Sequence, residues 1–102
     1  MTTGPVPDES PINLQEQLLL EEAKRGEGKP IFYGLNEPLR YAPQLVANYG
    51  GSLEDWDKMT TKQSALVDGA SVQVHWYRNR NTRQRVEFKF KREYPKKAPK
   101  NQ

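Results

Sequence analysis

The chain has 102 residues, a net charge of +3 and a hydrophobic fraction of only 34%, and it contains no cysteine. This length predicts one small domain, and the lack of cysteine excludes disulfide bonds and thiolate metal sites. The longest apolar run, Leu18-Leu19-Leu20, is far shorter than the ~18 residues of a transmembrane helix, so no membrane segment is predicted.

A helix is predicted from Leu14 to Lys24, after a flexible lead-in over residues 1–12. Asn13 and Glu16 have the spacing of a capping box, and a glycine at position 26 ends the helical pattern. We predict that Leu14 and Leu18 face the core, with Leu19 as a further candidate.

Residues 26–52 are interrupted by glycine and proline throughout, which predicts a loop. The loop carries four aromatic side chains, those of Phe32, Tyr33, Tyr41 and Tyr49. Residues 43–49 have the composition of one or two helical turns closed by a glycine. The glycine spacing does not match the GxxxxGK[ST] pattern of a phosphate loop, so no nucleotide-binding loop is predicted.

From residue 53 onwards the hydrophobic period changes to two, which indicates β-strands. Strands are predicted at 56–60, 71–78 and 85–91, with a turn at Asp68-Gly69, a polar hairpin loop at 79–84 and a basic disordered tail at 94–102. The expected fold is α+β: an N-terminal helix, or two, packed on a small twisted antiparallel sheet, with one domain spanning residues 13–93.

The last two strands have one apolar and one polar face. The apolar face should pack on the helix, and it carries Val72, Val74, Trp76, Val86, Phe88 and Phe90. The other face should be open to water, and it carries Gln73, His75, Tyr77, Arg85, Glu87, Lys89 and Lys91. Two registers fit this pattern. One pairs His75 with Glu87, and the other pairs His75 with Lys89 and Tyr77 with Glu87.

The polar face has the groups that RNA cleavage without a metal ion requires: a base for the 2′-hydroxyl, an acid for the leaving 5′-oxygen and cations for the phosphorane. Histidine titrates near pH ~6.5 and can serve as acid or base. The candidate catalytic residues are therefore His75, Glu87 as its partner, and Lys58. The candidate substrate-binding residues are Tyr77, Arg78, Arg85, Lys89 and Lys91.

No metal site and no cofactor are predicted. The chain has a single histidine, and its only acidic cluster consists of Glu54, Asp55 and Asp57, which are better explained as capping or solvated residues.

The charge distribution supports a polyanionic partner. Residues 1–75 contain 6 Lys and Arg against 11 Asp and Glu, whereas residues 76–102 contain 10 Lys and Arg against 2 Glu. This segregation creates a positive field, and the aromatic residues among the cations favour a nucleic acid, above all RNA.

Two other classes stay open: a non-catalytic RNA- or DNA-binding module, and an interaction or inhibitor domain that binds an acidic protein. A lone histidine beside Glu and Lys on a strand is also commonly an ordinary exposed cross-strand pair.

Four short motifs occur in a distinctive order. They are Leu14-Gln15-Glu16-Gln17-Leu18 with Glu21-Glu22-Ala23-Lys24, then Trp56-Asp57-Lys58-Met59, then Val74-His75-Trp76-Tyr77 with Asn79, and finally Val86-Glu87-Phe88-Lys89-Phe90-Lys91. Across residues 13–92 this order resembles the C-terminal toxin modules of bacterial polymorphic toxins, such as Rhs and contact-dependent growth inhibition effectors.

The resemblance implies a ribonuclease of barnase/EndoU/colicin/RelE-like type that acts on tRNA or other structured RNA. It carries over Lys58, His75, Glu87, Lys89 and Lys91 as site candidates. It further implies a monomer that is delivered as part of a larger secreted effector, acts in the target-cell cytoplasm and is neutralised by a cognate immunity protein. The first residues lack the basic start and apolar stretch of a signal peptide, so export would require something other than this segment.

Overall fold

The structure is a computed structural model that describes residues 4–95. This part of the chain forms two α-helices and a five-stranded antiparallel sheet. The helices are α1 (Leu14–Lys24) and α2 (Ala42–Tyr49), and the strands are β1 (Lys29–Phe32), β2 (Trp56–Thr60), β3 (Ala65–Val67), β4 (Ala70–Asn79) and β5 (Arg85–Glu93). The predicted α+β class is confirmed. Most of the predicted tail and the first three residues of the lead-in lie outside the described residues.

Strand β4 is the centre of the sheet because it pairs with three other strands. One of its edges pairs with β2 and β3, and the other pairs with β5 along most of its length. Strand β1 extends the sheet by pairing with β2. All four pairings are antiparallel, and the alternating burial along β4 follows the period of two in its sequence.

Helix α1 packs on one face of the sheet, which we call the helix face. The main core cluster there comprises Leu19, Ala23, Met59, Ala70, Val72, Val74, Trp76, Phe88 and Phe90. Leu19 therefore faces the core as predicted, but the inward prediction for Leu14 and Leu18 is wrong, because these side chains are 65% and 55% exposed. The buried stripe of α1 begins instead at Glu16, three residues before Leu19 and seven before Ala23.

The rotation of α1 follows from a buried ion pair. The Glu16 carboxylate accepts two hydrogen bonds from the Arg92 guanidinium of β5, at 2.8 and 3.0 Å, and a third from the Ile12 amide at 3.2 Å. Asn13 caps the helix by accepting from the Glu16 amide at 2.9 Å, as predicted. The Glu16 side chain bonds to the Ile12 amide and Arg92, so it does not complete the predicted capping box.

Helix α2 covers one end of the opposite sheet face. It presents Leu45 to Trp56 of β2 and Val86 of β5, and these three side chains form a second buried cluster. Tyr41, Tyr49 and Tyr77 pack around the cluster. The prediction that Val86 lies on the helix face is therefore wrong.

A β-bulge in β5 accounts for this difference. His75 pairs with Lys89 and Tyr77 pairs with Val86, so only Trp76 separates the two pairs on β4, whereas Glu87 and Phe88 separate them on β5. The extra residue is accommodated by a positive φ of 61° at Glu87. Side chains before the bulge therefore point to the sheet face opposite to the predicted one. Side chains after the bulge point to the predicted face.

The segment before α1 lies along the outer edge of β5. The Glu9 amide donates to the Phe88 carbonyl at 2.9 Å, and the amides of Phe88 and Phe90 donate to the Asp8 and Glu9 carboxylates at 3.2 and 2.9 Å. These bonds satisfy backbone groups that an uncovered edge strand would expose. Neither helix within residues 4–95 has the length and hydropathy to cross a membrane.

Candidate functional site

The sheet face opposite α1 is open wherever α2 does not cover it, and it contains a small cationic cavity. The cavity has a volume of about 190 Å³ and is lined by Lys58, His75, Trp76, Tyr77, Lys89, Phe90 and Lys91. We call it the lysine pocket. Its polar members come together because directly paired residues share a face: Lys58 pairs with Tyr77, and His75 pairs with Lys89.

The environment of His75 favours the neutral imidazole. Burial, the ammonium groups of Lys58 and Lys91 and, to a smaller extent, that of Lys89 lower the pKa of His75 to about 4, and only Glu93 acts in the opposite direction. The side chain is therefore uncharged at pH 7 in the free protein. Its Nε2 atom is buried and makes no hydrogen bond within residues 4–95.

Lys58 is perturbed in the same pocket. Burial, followed by the neighbouring charges of Lys89 and Lys91, lowers the pKa of the Lys58 ammonium below its usual range. A lysine that releases its proton more readily than usual is suited to proton donation. The pocket thus places a proton acceptor and a proton donor among cations.

Five of the eight predicted site residues line this pocket: Lys58, His75, Tyr77, Lys89 and Lys91. Arg78 and Arg85 point elsewhere. Arg78 donates to the buried Asp57 carboxylate at 3.2 Å, and Arg85, which precedes the bulge, donates to the Lys24 carbonyl at the end of α1 at 2.9 Å. Placing Arg85 on the face of His75 was therefore wrong.

Glu87 also lies apart from His75, so the predicted carboxylate partner is absent from the pocket. Its buried carboxylate accepts hydrogen bonds from the hydroxyls of Tyr41 and Tyr49, both at 2.9 Å, and from the Val6 amide at 3.4 Å. Burial and this carboxylate raise the pKa of Tyr41 to about 12 and also raise the pKa of Tyr49. The cluster therefore keeps its tyrosines protonated and secures the bulge to α2.

Two further residues of the open face were missed by the sequence reasoning. Lys29 pairs with Thr60 and Phe32 pairs with Lys58, so both lie on the same face as the pocket. The sequence pattern predicts a loop around this aromatic side chain and does not predict β1. The only local signal is the apolar run Ile31-Phe32-Tyr33 between glycines at 28 and 34.

The acidic residues near β2 have structural roles. Asp57 is fully buried and bonded to two arginines, Arg78 and Arg80, while Asp55 accepts from the Ser52 amide at 2.9 Å and caps the short 3₁₀ helix Leu53–Asp55. No three His, Asp or Glu side chains converge as a metal ion would require anywhere in residues 4–95.

Comparisons of the chain with models of protein families, with curated proteins and with solved structures found no match. The lysine pocket and the side chains around it are therefore the basis for a functional proposal.

Proposed function

We propose that this protein is a metal-independent endoribonuclease whose lysine pocket holds the scissile phosphate of RNA. The observation that carries the proposal is the arrangement of three lysine side chains around a neutral imidazole on an open sheet face. Lysine ammonium groups bind phosphate as positive point charges. A neutral imidazole is the form that accepts a proton.

The chemical step follows from these assignments. His75 takes the proton of the 2′-hydroxyl, and the 2′-oxygen forms a bond to phosphorus while the bond from phosphorus to the 5′-oxygen breaks. Lys58 donates its proton to the departing 5′-oxygen, and Lys89 and Lys91 bind the non-bridging oxygens as negative charge accumulates on them. The products are a 2′,3′-cyclic phosphate and a free 5′-hydroxyl.

Phosphate binding also tunes the base. In the free protein the pKa of His75 is about 4, which is low for a base that operates near neutral pH. A bound phosphate offsets part of the charge of Lys58, Lys89 and Lys91, so it raises the pKa of His75 towards the ordinary value of ~6.5. The imidazole then becomes a better base only when substrate is present.

The toxin-module resemblance supplies the biological part of the proposal. The protein would have a barnase/EndoU/colicin/RelE-like fold, to which two helices followed by the antiparallel strands β2 to β5 lend support, although β1 precedes α2. It would act as a monomer on tRNA or other structured RNA in the cytoplasm of a target bacterium, after delivery as part of a larger effector. An acidic immunity protein would neutralise it by covering the cationic open face.

A non-catalytic RNA- or DNA-binding module is the second candidate. It is favoured by the Nε2 atom of His75, which has no hydrogen-bond partner in the described part of the chain. Catalytic bases are usually oriented by a third group, and the carboxylate predicted for that role, Glu87, is bonded to Tyr41 and Tyr49.

Incubating labelled tRNA with the purified protein in EDTA tests the proposal. We expect fragments that end in a 2′,3′-cyclic phosphate, and slower cleavage by Lys58→Ala. Lys24→Ala is the matched control, because it removes the same charge from the end of α1, outside the pocket, and should leave the rate unchanged. Intact RNA that is bound with a steep dependence on salt would favour the binding module, and an absence of both cleavage and binding would contradict both candidates.

A further inference from the structure

We propose that a second cavity, beside β1, binds an unpaired nucleobase of the same RNA whose phosphate occupies the lysine pocket. This inference rests on the proposed function and makes it more specific, since it assigns single-stranded or loop RNA as the substrate class. Regular duplex RNA keeps its bases stacked and paired, and so offers no free base to such a site.

The cavity has the size and lining that a nucleobase requires. Its volume is about 490 Å³, within the range of ~300–1,000 Å³ that is usual for small-molecule sites. The aromatic rings of Phe32 and Tyr33 line it together with Leu39, and Asn36, Glu37 and Arg40 supply polar groups that can bond to the edge of a base. Phe32 keeps 58% of its surface exposed, so its ring is available for stacking.

The cavity adjoins the lysine pocket through one cross-strand pair. Phe32 lines the nucleobase cavity, Lys58 lines the lysine pocket, and the two residues are directly paired between β1 and β2. A shift of register at Ile31 puts Phe32 on the open face. Paired strands are ~4.8 Å apart, and a nucleotide joins its base to its phosphate through a single sugar. Adjacent parts of one RNA strand can therefore occupy both cavities.

The wall of the cavity is anchored to the sheet without help from a ligand. The Gly34 amide donates to the buried Asp57 carboxylate at 2.9 Å, and Arg78 and Arg80 bond to the same carboxylate at 3.2 and 3.3 Å. The loop backbone lies so close to β2 that a Cβ at Gly34 would collide with the Trp56 carbonyl. Because this wall is ordered beforehand, binding a base loses little conformational entropy there.

The neighbouring charges favour RNA as the occupant over an apolar protein segment. Lys58 pairs directly with Phe32, and Lys29, which pairs with Thr60, lies on the same face of the sheet. Interleaved cations and exposed aromatic rings on a sheet face are the combination with which proteins bind single-stranded nucleic acid.

Binding of short 2′-O-methyl RNA, which the proposed reaction cannot cleave, tests the nucleobase site. We would measure fluorescence anisotropy with a labelled hexamer and with hexamers that lack one base. Phe32→Ala should bind the intact hexamer roughly 10-fold more weakly than wild type, and Phe32→Trp should restore the affinity. Tyr94→Ala is the matched control, because it removes another exposed aromatic ring, 68% exposed, that does not line either cavity.

The hexamers that lack a base give a second readout, in which the change is made in the RNA and its effect is measured on the wild-type protein. Removing the base that occupies the cavity should weaken binding to wild type but not to Phe32→Ala. If Phe32→Ala binds every hexamer as wild type does while Lys58→Ala binds weakly, the nucleobase site is wrong and the proposed phosphate site stands. If wild type binds no hexamer at low salt, both proposals fail.

Discussion

Replacing His75 with alanine is expected to lower the rate of RNA cleavage by about 10²- to 10⁴-fold, because the variant lacks the group that accepts the 2′-hydroxyl proton. RNA affinity should change little, since Lys58, Lys89 and Lys91 keep their charges and positions. Single-turnover cleavage of labelled RNA in EDTA gives the rate, and anisotropy with uncleavable 2′-O-methyl RNA gives the affinity. His75→Gln is a matched variant that keeps a polar side chain of similar size.

The pH dependence separates a base from a merely structural residue. Wild-type cleavage should accelerate as the pH rises through the pKa of His75 in the RNA complex, and the His75→Ala rate should lack this rise. The folded-state pKa of His75, about 4, lies below the ordinary value, so His75 contributes stability above pH ~6.5 that is lost as the pH falls towards 4. Variants should therefore be compared at a single pH of 7 or above, and in the pH profile tryptophan fluorescence should confirm at each lower pH that the protein is folded. Equal rates for wild type and both variants would exclude His75 from catalysis.

Replacing Arg92 with leucine is expected to lower the free energy of unfolding by about 3 kcal/mol, the lower end of the range for breaking a buried pair. The variant leaves the fully buried Glu16 carboxylate without its two charged hydrogen bonds. The lower end is appropriate because Arg92 keeps 32% of its side chain in water. Urea unfolding followed by tryptophan fluorescence measures the change, and a loss of this size is a large part of the stability of a small domain.

A double variant and acid pH check the cause of this loss. Glu16→Leu combined with Arg92→Leu should be more stable than Arg92→Leu alone, because no charge is then buried without a partner. Burial raises the pKa of Glu16, but the hydrogen bonds from Arg92 and the Ile12 amide, together with the charge of Arg92, hold the pKa below its usual range. This carboxylate thus stabilises the wild type above its unfolded-state pKa of ~4.3, and the contribution is lost as the pH falls. A double variant no more stable than the single one would contradict the account.

The elements with strong local patterns were predicted well. Helix α1 and strand β2 have the predicted bounds, and β4 and β5 differ from prediction by two residues or fewer at each end. Alternating apolar residues along β4 decide which face each side chain occupies, so the sequence alone placed His75 on the face opposite α1. The sequence allows two registers; the structure pairs His75 with Lys89, as in the second, but the predicted pairing of Tyr77 with Glu87 is wrong because Tyr77 pairs with Val86.

The bulge at Glu87 could not be predicted, because the alternation of residues 85–91 continues through it without a break. Its cause is tertiary: the Glu87 carboxylate bonds to Tyr41, the N-cap residue of α2, and to Tyr49, the last residue of α2, both about forty residues away in sequence. One added residue reverses the faces on one side of a strand. This single feature explains why Arg85 and Val86 lie on faces opposite to those predicted, and why Glu87 pairs with neither His75 nor Tyr77.

The short strands β1 and β3 were missed for a different reason. Strand β1 has four residues, of which one is proline and three are exposed, and β3 has three residues. Neither has a hydrophobic period, and each forms because a longer strand, β2 or β4, offers an edge to pair with. Missing β1 also concealed the nucleobase cavity, since only the pairing of Phe32 with Lys58 brings that ring to the open face.

An NMR titration of the His75 ring in the presence and absence of uncleavable 2′-O-methyl RNA tests most directly whether phosphate binds among the lysines. His75 is the only histidine in the chain, so its ring signals are readily assigned. In the free protein the ring should titrate with a pKa of about 4, and saturating RNA should raise the pKa by at least one unit. A pKa that RNA leaves unchanged, although RNA is bound, would place the phosphate elsewhere and contradict the proposed site.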